Sequence, residues 1–381
     1  MKLVFAPDSY KGSLSQEQIC RLLTQAAREV WPKCETVSLP VSDGGEGALE
    51  AVLQAMNGSY RSVAVSDPMG RPIQASYGIY QGDRAMIEMA AASGLPLVEP
   101  GQRDIRKAST YGTGQLILDA LEQGCQNLTI AIGGSATNDG GLGCMAALGA
   151  RFFDEAGREL EPVPESLGKI ARIGLEEFHP LAGKAKVTVI CDVTNPLLGS
   201  EGAVSVFGPQ KGASREDQEF LEKGMAQYAK VLERTFGRDF AKDPGAGAAG
   251  GLGAGLTAFL GARLKPGIET ILDILEFDRV LADADLVVTG EGRTDSQSVR
   301  GKVLSGVGKA AKRRQIPCIA IVGGLGEGAM EICRYGVDSL MTTINGPMTI
   351  EDAMANAEEL FLNAARRMFS MLRAGQRIKK E

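Results

Sequence analysis

Carboxylates set among glycines are the residues in this chain best suited to chemistry. Three segments carry them, each just after an apolar stretch that reads as a strand: Asp43-Gly44-Gly45-Glu46-Gly47, Gly133-Gly134-Ser135-Ala136-Thr137-Asn138-Asp139-Gly140-Gly141 and Gly290-Glu291-Gly292-Arg293-Thr294-Asp295. Glycine lets bare backbone approach a ligand, and successive N–H groups in such a loop can converge on an anion. A carboxylate in the same loop repels a bare phosphate, so it implies a bridging metal ion or a substrate hydroxyl. The combination points to phosphoryl transfer.

Each candidate has a bland alternative. Asp8-Ser9-Tyr10-Lys11-Gly12-Ser13 brings an acid and a lysine to a strand end, where open α/β sheets bind ligands. It could also be a strand terminator with a helix cap, and Tyr10 rules out the dehalogenase pattern, which needs a second Asp there. Asp43 and Glu46 suit Mg²⁺, which takes one or two carboxylates and fills its octahedron with water and phosphate oxygens. Helix capping explains the two acids but not their three glycines. In the longest segment, backbone amides, Ser135, Thr137 and the following helix start could all donate to a phosphate. Gly133, Gly134, Asn138 and Asp139 belong to the same expected cradle. Asp192 ends a further strand, and Lys211, between turn residues, could neutralise a phosphate or carboxylate or could be a solvated lysine. Glu291, Arg293 and Asp295 read as a loop at a sheet edge, functional or merely ion-paired.

Other chemistries fit less well. Gly141 to Ala146 matches G-x-G-x-x-A, but a polar insertion separates it from its strand and no acid ends a strand about 20 residues on. No G-x-x-x-x-G-K-[ST] occurs, which excludes a P-loop. The single histidine, His179, leaves little room for a Ser-His-Asp triad or a His-rich metal site, so a general base is expected to be a carboxylate.

The elements that must position these residues follow an α/β grammar. Lys2–Ala6 reads as a buried strand, and Ile19, Leu22, Leu23, Ala26, Ala27 and Val30 form the apolar face of a helix capped by Ser15 and Gln18. A strand at 36–41 and a helix bearing Leu49, Val52, Leu53 and Met56 follow. Alternation at Ile73–Ile79 and Ala85–Met89 about Gln81-Gly82-Asp83 predicts a hairpin. Strands are expected at 128–132 and 187–191, and Pro244–Gly255 reads as a small-residue loop leading into a tightly packed helix. From about 285 the βα alternation returns: strand 286–289, helix to 314, strand 318–322, helix to 335, strand 338–343 and a long helix 351–372 with Thr349 as cap. The two ends share one grammar and the middle another. The fold expected is α/β with two α/β domains: a discontinuous doubly wound (Rossmann/flavodoxin-like) parallel-sheet domain, 1–65 plus 284–381, and an inserted mixed α/β domain, 66–283, with the hairpin and glycine-rich loops.

Composition agrees with a soluble globular protein. Glycine, 49 of 381 residues, is about 13%, nearly twice the usual share of roughly 7%. A net charge of -6 opposes nucleic-acid binding, and no apolar run is long enough to span a membrane. The short N-terminal apolar stretch does not read as a signal peptide. Seven cysteines without a C-x-x-C pair fit reduced thiols and a cytoplasmic location.

Taken in order, the segments resemble the bacterial type I glycerate kinases over essentially the whole chain. The resemblance rests on Ala6-Pro7-Asp8-Ser9-Tyr10-Lys11-Gly12-Ser13, Asp43–Gly47, Ile132–Gly141, Asn195-Pro196-Leu197, Phe207–Gly212, Gly250-Gly251-Leu252-Gly253 and Gly290–Gln297. Tyr10 stands where phenylalanine is expected and Leu304 where proline is common; neither change removes a charge. The resemblance implies ATP-dependent phosphorylation of D-glycerate, with 2-phosphoglycerate the favoured product, Mg²⁺ as cofactor and ATP as co-substrate. Homo-oligomerisation is left open. The bottom-up reading gives the roles: Asp8 or Asp295 as base, Asp43 and Asp192 for Mg²⁺, and Lys11, Lys211 or Arg293 facing phosphate and carboxylate. The alternatives are a nicotinamide-dependent hydroxy-acid oxidoreductase and a non-catalytic nucleotide-binding protein.

Overall fold

The computed structural model describes residues 1–378 except 46, 297 and 300, so Glu46 and Gln297 lie outside the described residues. The chain forms two compact units, one of Met1–Ala55 with Gly267–Glu381 and one of Met56–Pro266. Both are α/β.

The first unit is built on five parallel strands: β1 (Lys2–Pro7), β2 (Glu35–Ser38), β3 (Leu286–Thr294), β4 (Cys318–Leu325) and β5 (Ser339–Thr342). They lie in the order β2-β1-β3-β4-β5, the flavodoxin-like doubly wound arrangement. In such a sheet the order reverses between β1 and β3, and ligands gather outside the carboxyl ends there. Alternation sends Leu3 and Phe5 to one face, where they join α1 (Gln16–Val30) and the C-terminal helix in one buried cluster. Ser15 and Gln18 form the expected capping box at the start of α1. Helices α2 (Ala48–Ala55) and α3 (Val303–Arg313), with the helix Gly267–Ile274, make up the other layer.

Three elements here differ from the sequence reading. Gly290–Thr294 is not a loop: β3 continues through it and stays paired with β4 as far as Thr294 and Leu325. Glycine hid this, because Gly290 and Gly323 lower strand propensity yet permit very close strand approach. A Cβ on Gly290 would lie 2.3 Å from the Ile321 carbonyl oxygen, and one on Gly323 would lie 2.3 Å from that of Gly292. The expected helix before Tyr335 is a 3₁₀ segment, Ala329–Tyr335. The C-terminal helix is two helices, α4 (Ile350–Ala355), capped by Thr349, and α5 (Ala357–Gly375), divided at Asn356 with φ −107° and ψ 18°.

The second unit carries a six-stranded mixed sheet. Arg263–Lys265, Lys186–Ile190, Asn127–Ala131 and Arg84–Glu88 run parallel, and Pro72–Tyr80 and Ser59–Ser66 add antiparallel to the edge. Strand Ser59–Ser66 was read with the first segment; here it pairs along its full length with Pro72–Tyr80. The hairpin turns at Gln81 and Gly82, both at positive φ (51° and 81°). Its main core surrounds Tyr77, Phe152 and Tyr228, with a small separate cluster of Ile105, Val204 and Leu221.

Adjacent glycines of β4 make a matched test. Gly323→Ala is expected to destabilise the first unit by ~1–3 kcal/mol through overpacking against backbone. Gly324→Ala, whose added carbon meets nothing within 4 Å, is expected to stay within about 0.5 kcal/mol of wild type. Urea denaturation distinguishes the two; equal losses would refute the close-approach account.

Candidate active site

In the first unit, the ends of β1, β3 and β4 open into a cleft of about 760 Å³, within the ~300–1,000 Å³ usual for ligand sites. Asp8 follows β1 directly, and its amide donates to the Gly290 carbonyl at 2.9 Å, tying it to the strand next door. One carboxylate oxygen of Asp8 accepts the Ser9 amide at 2.7 Å and lies 3.4 Å from Gln16 Nε2. Tyr10 sets the loop: buried, its hydroxyl donates to the Ile321 carbonyl at 2.6 Å and its ring meets Phe361 edge-on at 5.6 Å. The following turn needs glycine, since Gly12 has φ 78°.

Asp43 and Glu291 line the same cleft. Asp43 Oδ1 accepts the Gly45 amide at 3.0 Å, so one of the loop's glycines serves to turn the chain back on this acid. Glu291 is buried and receives the Ser298 hydroxyl. Burial pushes the Asp8 carboxyl up to about 6, with the charges of Asp43 and Glu291 adding to the rise and the Ser9 amide opposing it. Burial raises Glu291 too, against the Ser298 hydroxyl and the Lys302 charge. Lys11, Arg293 and Lys302 complete the charged lining, and Lys11 and Arg293 are exposed. Asp295 lies just past β3, its carboxylate 3.9 Å from Arg293 Nε and its amide donating to Ser298 Oγ at 3.2 Å.

Among the described residues, no group of three or more His, Cys, Asp or Glu is gathered tightly enough to cage a metal ion. Mg²⁺ takes only one or two protein carboxylates and completes its octahedron with water and phosphate oxygens, so such a cage is no requirement for it. The donor chemistry agrees: hard carboxylates whose mutual repulsion a divalent ion would relieve.

The second cluster belongs to the second unit. Gly133–Gly141 follows the strand Asn127–Ala131, but its amides are mostly engaged within the protein. Ala136 N–H donates to the Ser93 carbonyl and Gly140 N–H to that of Gly250, both at 2.9 Å. Asp139, fully buried, accepts the amides of Gly141 (2.9 Å), Gly143 (3.1 Å) and Thr110 (2.8 Å) and the Thr110 hydroxyl (2.8 Å). A carboxylate of the chain itself thus takes the amides at the start of the short helix Leu142–Ala147, where sequence reasoning put a phosphate. Burial raises Asp139, and these four donors hold it down. Only Gly133 and Gly134 of the segment are exposed.

Lys211 is not a solvated turn lysine. Only 2% exposed, it donates to Ser135 Oγ at 2.8 Å and to the Thr137 carbonyl at 2.7 Å. Burial lowers it to about 7, the charge of Asp139 partly opposing. Beside it, Thr137 Oγ1 and both polar atoms of Asn138 are buried without a protein partner. Asp192 stands exposed after the strand Lys186–Ile190.

The structure therefore brings Asp8, Lys11, Asp43, Glu291 and Arg293 to one cleft, and Ser135, Thr137 and Lys211 into one polar cluster. Sequence reasoning missed Lys302 and Ser298. Lys302 had a readable signal: it occupies the N-cap of α3, where a cation opposes the helix dipole and is disfavoured unless something else requires it.

Comparison with known proteins finds relatives along nearly the whole chain. A family model described as the Glycerate kinase family matches residues 3–373. The glycerate 2-kinase of Escherichia coli (strain K12) is 44% identical over 378 residues, 99% of each chain. A glycerate kinase of Halalkalibacterium halodurans is 43% identical over 366 residues, 96% of each chain. A crystal structure of a protein assigned as glycerate kinase 2, from Salmonella typhimurium LT2, superposes with a TM-score of 0.90 at 45% identity, covering 99% of this chain and 100% of that one.

Lys211 gives a pH-dependent signature. The folded chain holds it neutral above about 7, whereas a free lysine stays charged to 10.5, so the unfolded chain binds the extra proton between those values. Stability is expected to rise with pH through that window by up to ~1.4 kcal/mol per unit, and to show the full cost of the buried charge below it. Lys211→Met is expected to lose that slope. Urea titrations of both proteins at pH 7 and 9 measure it, and parallel slopes would clear Lys211 as the source.

Proposed function

The chain belongs to the glycerate kinase family and is a kinase acting on glycerate; from that premise we propose that it transfers the γ-phosphoryl group of ATP to the 2-hydroxyl of D-glycerate, giving 2-phosphoglycerate and ADP. The observation that carries the reading is the gathering of Asp8, Asp43 and Glu291 with Lys11, Arg293 and Lys302 at the switch point of a parallel sheet. The 2-position is favoured by the name of the Escherichia coli relative.

In the proposed mechanism the cleft of the first unit receives the triphosphate. Lys11, Arg293 and Lys302 face its oxygens and balance charge as it spreads over the γ-phosphoryl group, where in-line positioning and electrostatic stabilisation do most of the catalysis. Asp43 is the acid proposed to hold Mg²⁺, with Asp192 as the second candidate. Mg²⁺, when bound, neutralises charge on the transferring phosphate. Asp8 is preferred over Asp295 as general base because it lines the cleft itself, held there by the Ser9 amide at a strand end. It takes the proton as the substrate oxygen bonds to phosphorus and the bond to the β–γ bridging oxygen breaks. Lys211 and Ser135 are proposed to serve substrate or nucleotide binding in the second unit, as is Glu291 in the cleft's wall in the first.

Mixing the protein with Mg·ATP, D-glycerate and enolase tests the reaction. Direct formation of phosphoenolpyruvate is expected; ADP without it would mean phosphorylation at another hydroxyl, and no ADP would reject the kinase. Asp8→Asn is expected to lower kcat by about 10²–10⁴ with the KM for ATP changed little. Near-native turnover in that variant would transfer the role to Asp295, whose Asp295→Asn variant would then show the loss.

A further inference from the structure

The lining of the cleft in the first unit is of two kinds, and the chemistry proposed above uses one. Its charged lining is the carboxylate and lysine group already described. An apolar end borders that group, since Gly324 pairs with Arg293 and a Cβ on Gly12 would lie 3.0 Å from the Met354 methyl carbon: Leu325 (50% exposed), Met348 (38%), Ile350 (71%) and Met354 (43%) turn large hydrophobic surface to solvent along its wall. Single exposed apolar residues are ordinary, but four sharing one concave site mark a place where something apolar is covered. Bare backbone completes this end. Gly324, in the last turn of pairing between β3 and β4, lines the cleft, and a Cβ built on it meets no atom within 4 Å. The neighbouring glycine is there for strand packing; this one leaves space open.

Glycerate cannot be what covers that wall. It has three carbons, each bearing an oxygen, and no apolar face to bury. A triphosphate has none either. The remaining part of the nucleotide does: a purine is flat, with two apolar faces, and suits contact with polarizable methionine thioethers and an isoleucine edge. The cleft of about 760 Å³ has room for base, ribose and phosphates together. We propose that the adenine base of ATP lies in this apolar end, between the side chains of Met348, Ile350 and Met354 and the open backbone at Gly324, so that the phosphates run toward Asp8 and Asp43. This rests on the kinase reading for its choice of ligand, and it assigns the nucleotide to the first unit.

Two substitutions alter the apolar end without disturbing the core. Ile350→Asp changes a side chain already 71% exposed, and Gly324→Val fills space that no protein atom occupies. Calorimetric titration of the full chain with Mg²⁺ and a non-hydrolysable ATP analogue, and separately with Mg·tripolyphosphate, reads the base and the phosphates apart. Wild type is expected to bind the analogue at least tenfold more tightly than tripolyphosphate. Each variant is expected to lose most of that preference, keep its tripolyphosphate affinity within about twofold, and keep the KM for D-glycerate within about twofold. Equal weakening of both probes, no weakening of either, or a rise confined to the KM for glycerate would overturn the proposal. Because binding is read without turnover, a protein that binds the analogue as expected yet forms no phosphoglycerate would sink the kinase reading and leave the base site standing.

Discussion

The placing of three carboxylates at the end of one parallel sheet is the constraint on which this structure turns. Asp8 ends β1, Glu291 lies in the adjoining β3, and Asp43 follows β2 on the far side of β1. The strand order dictates their meeting, since β1 is flanked by both partners and all three strands point the same way. Burial above all holds the Asp8 carboxyl up to about 6, with the like charges of Asp43 and Glu291 adding to the rise and the Ser9 amide opposing it. Lys11 and Lys302 bring positive charge to the same cleft.

The second unit handles its acid in the opposite way. Asp139 is enclosed and given four donors, two of them amides at the first turn of a helix, so its charge is consumed in holding a glycine-rich segment in shape. Lys211 then reaches the same segment through Ser135 and the Thr137 carbonyl. Buried polar atoms here are either fully used, as at Asp139, or left with nothing, as at Asn138. Unused buried polar atoms cost about 1–3 kcal/mol each.

Much of this was legible from pattern alone. The period of α1, its Ser15–Gln18 cap and the hairpin at Gln81–Gly82 followed from local rules that depend only on near neighbours in the chain. The glycine-flanked acids were equally visible, as residue types at strand ends. What could not be read was direction. Asp43 and Asp139 sit in similar glycine settings, yet one lines a cleft and the other is fully buried, because that depends on Thr110 and on a helix far away in sequence. Lys211 looked like a turn residue because its burial comes from a segment more than 70 positions earlier. The extension of β3 was hidden for a related reason: glycine is a poor strand former, and only pairing with β4 makes it one.

The pairing of Leu3 with Leu286 has a consequence for how the protein is made. On a ribosome adding ~5–20 residues per second, β1 must wait on the order of 15–60 s for the strand that flanks it. During that interval the intervening 211 residues can complete a sheet and core of their own, while β1 and the apolar face of α1 stay without their final cover. The carboxylate-bearing end of the sheet is therefore assembled last. A nascent chain halted before residue 286 would carry a finished middle and an exposed, adhesive beginning, a natural client for chaperones.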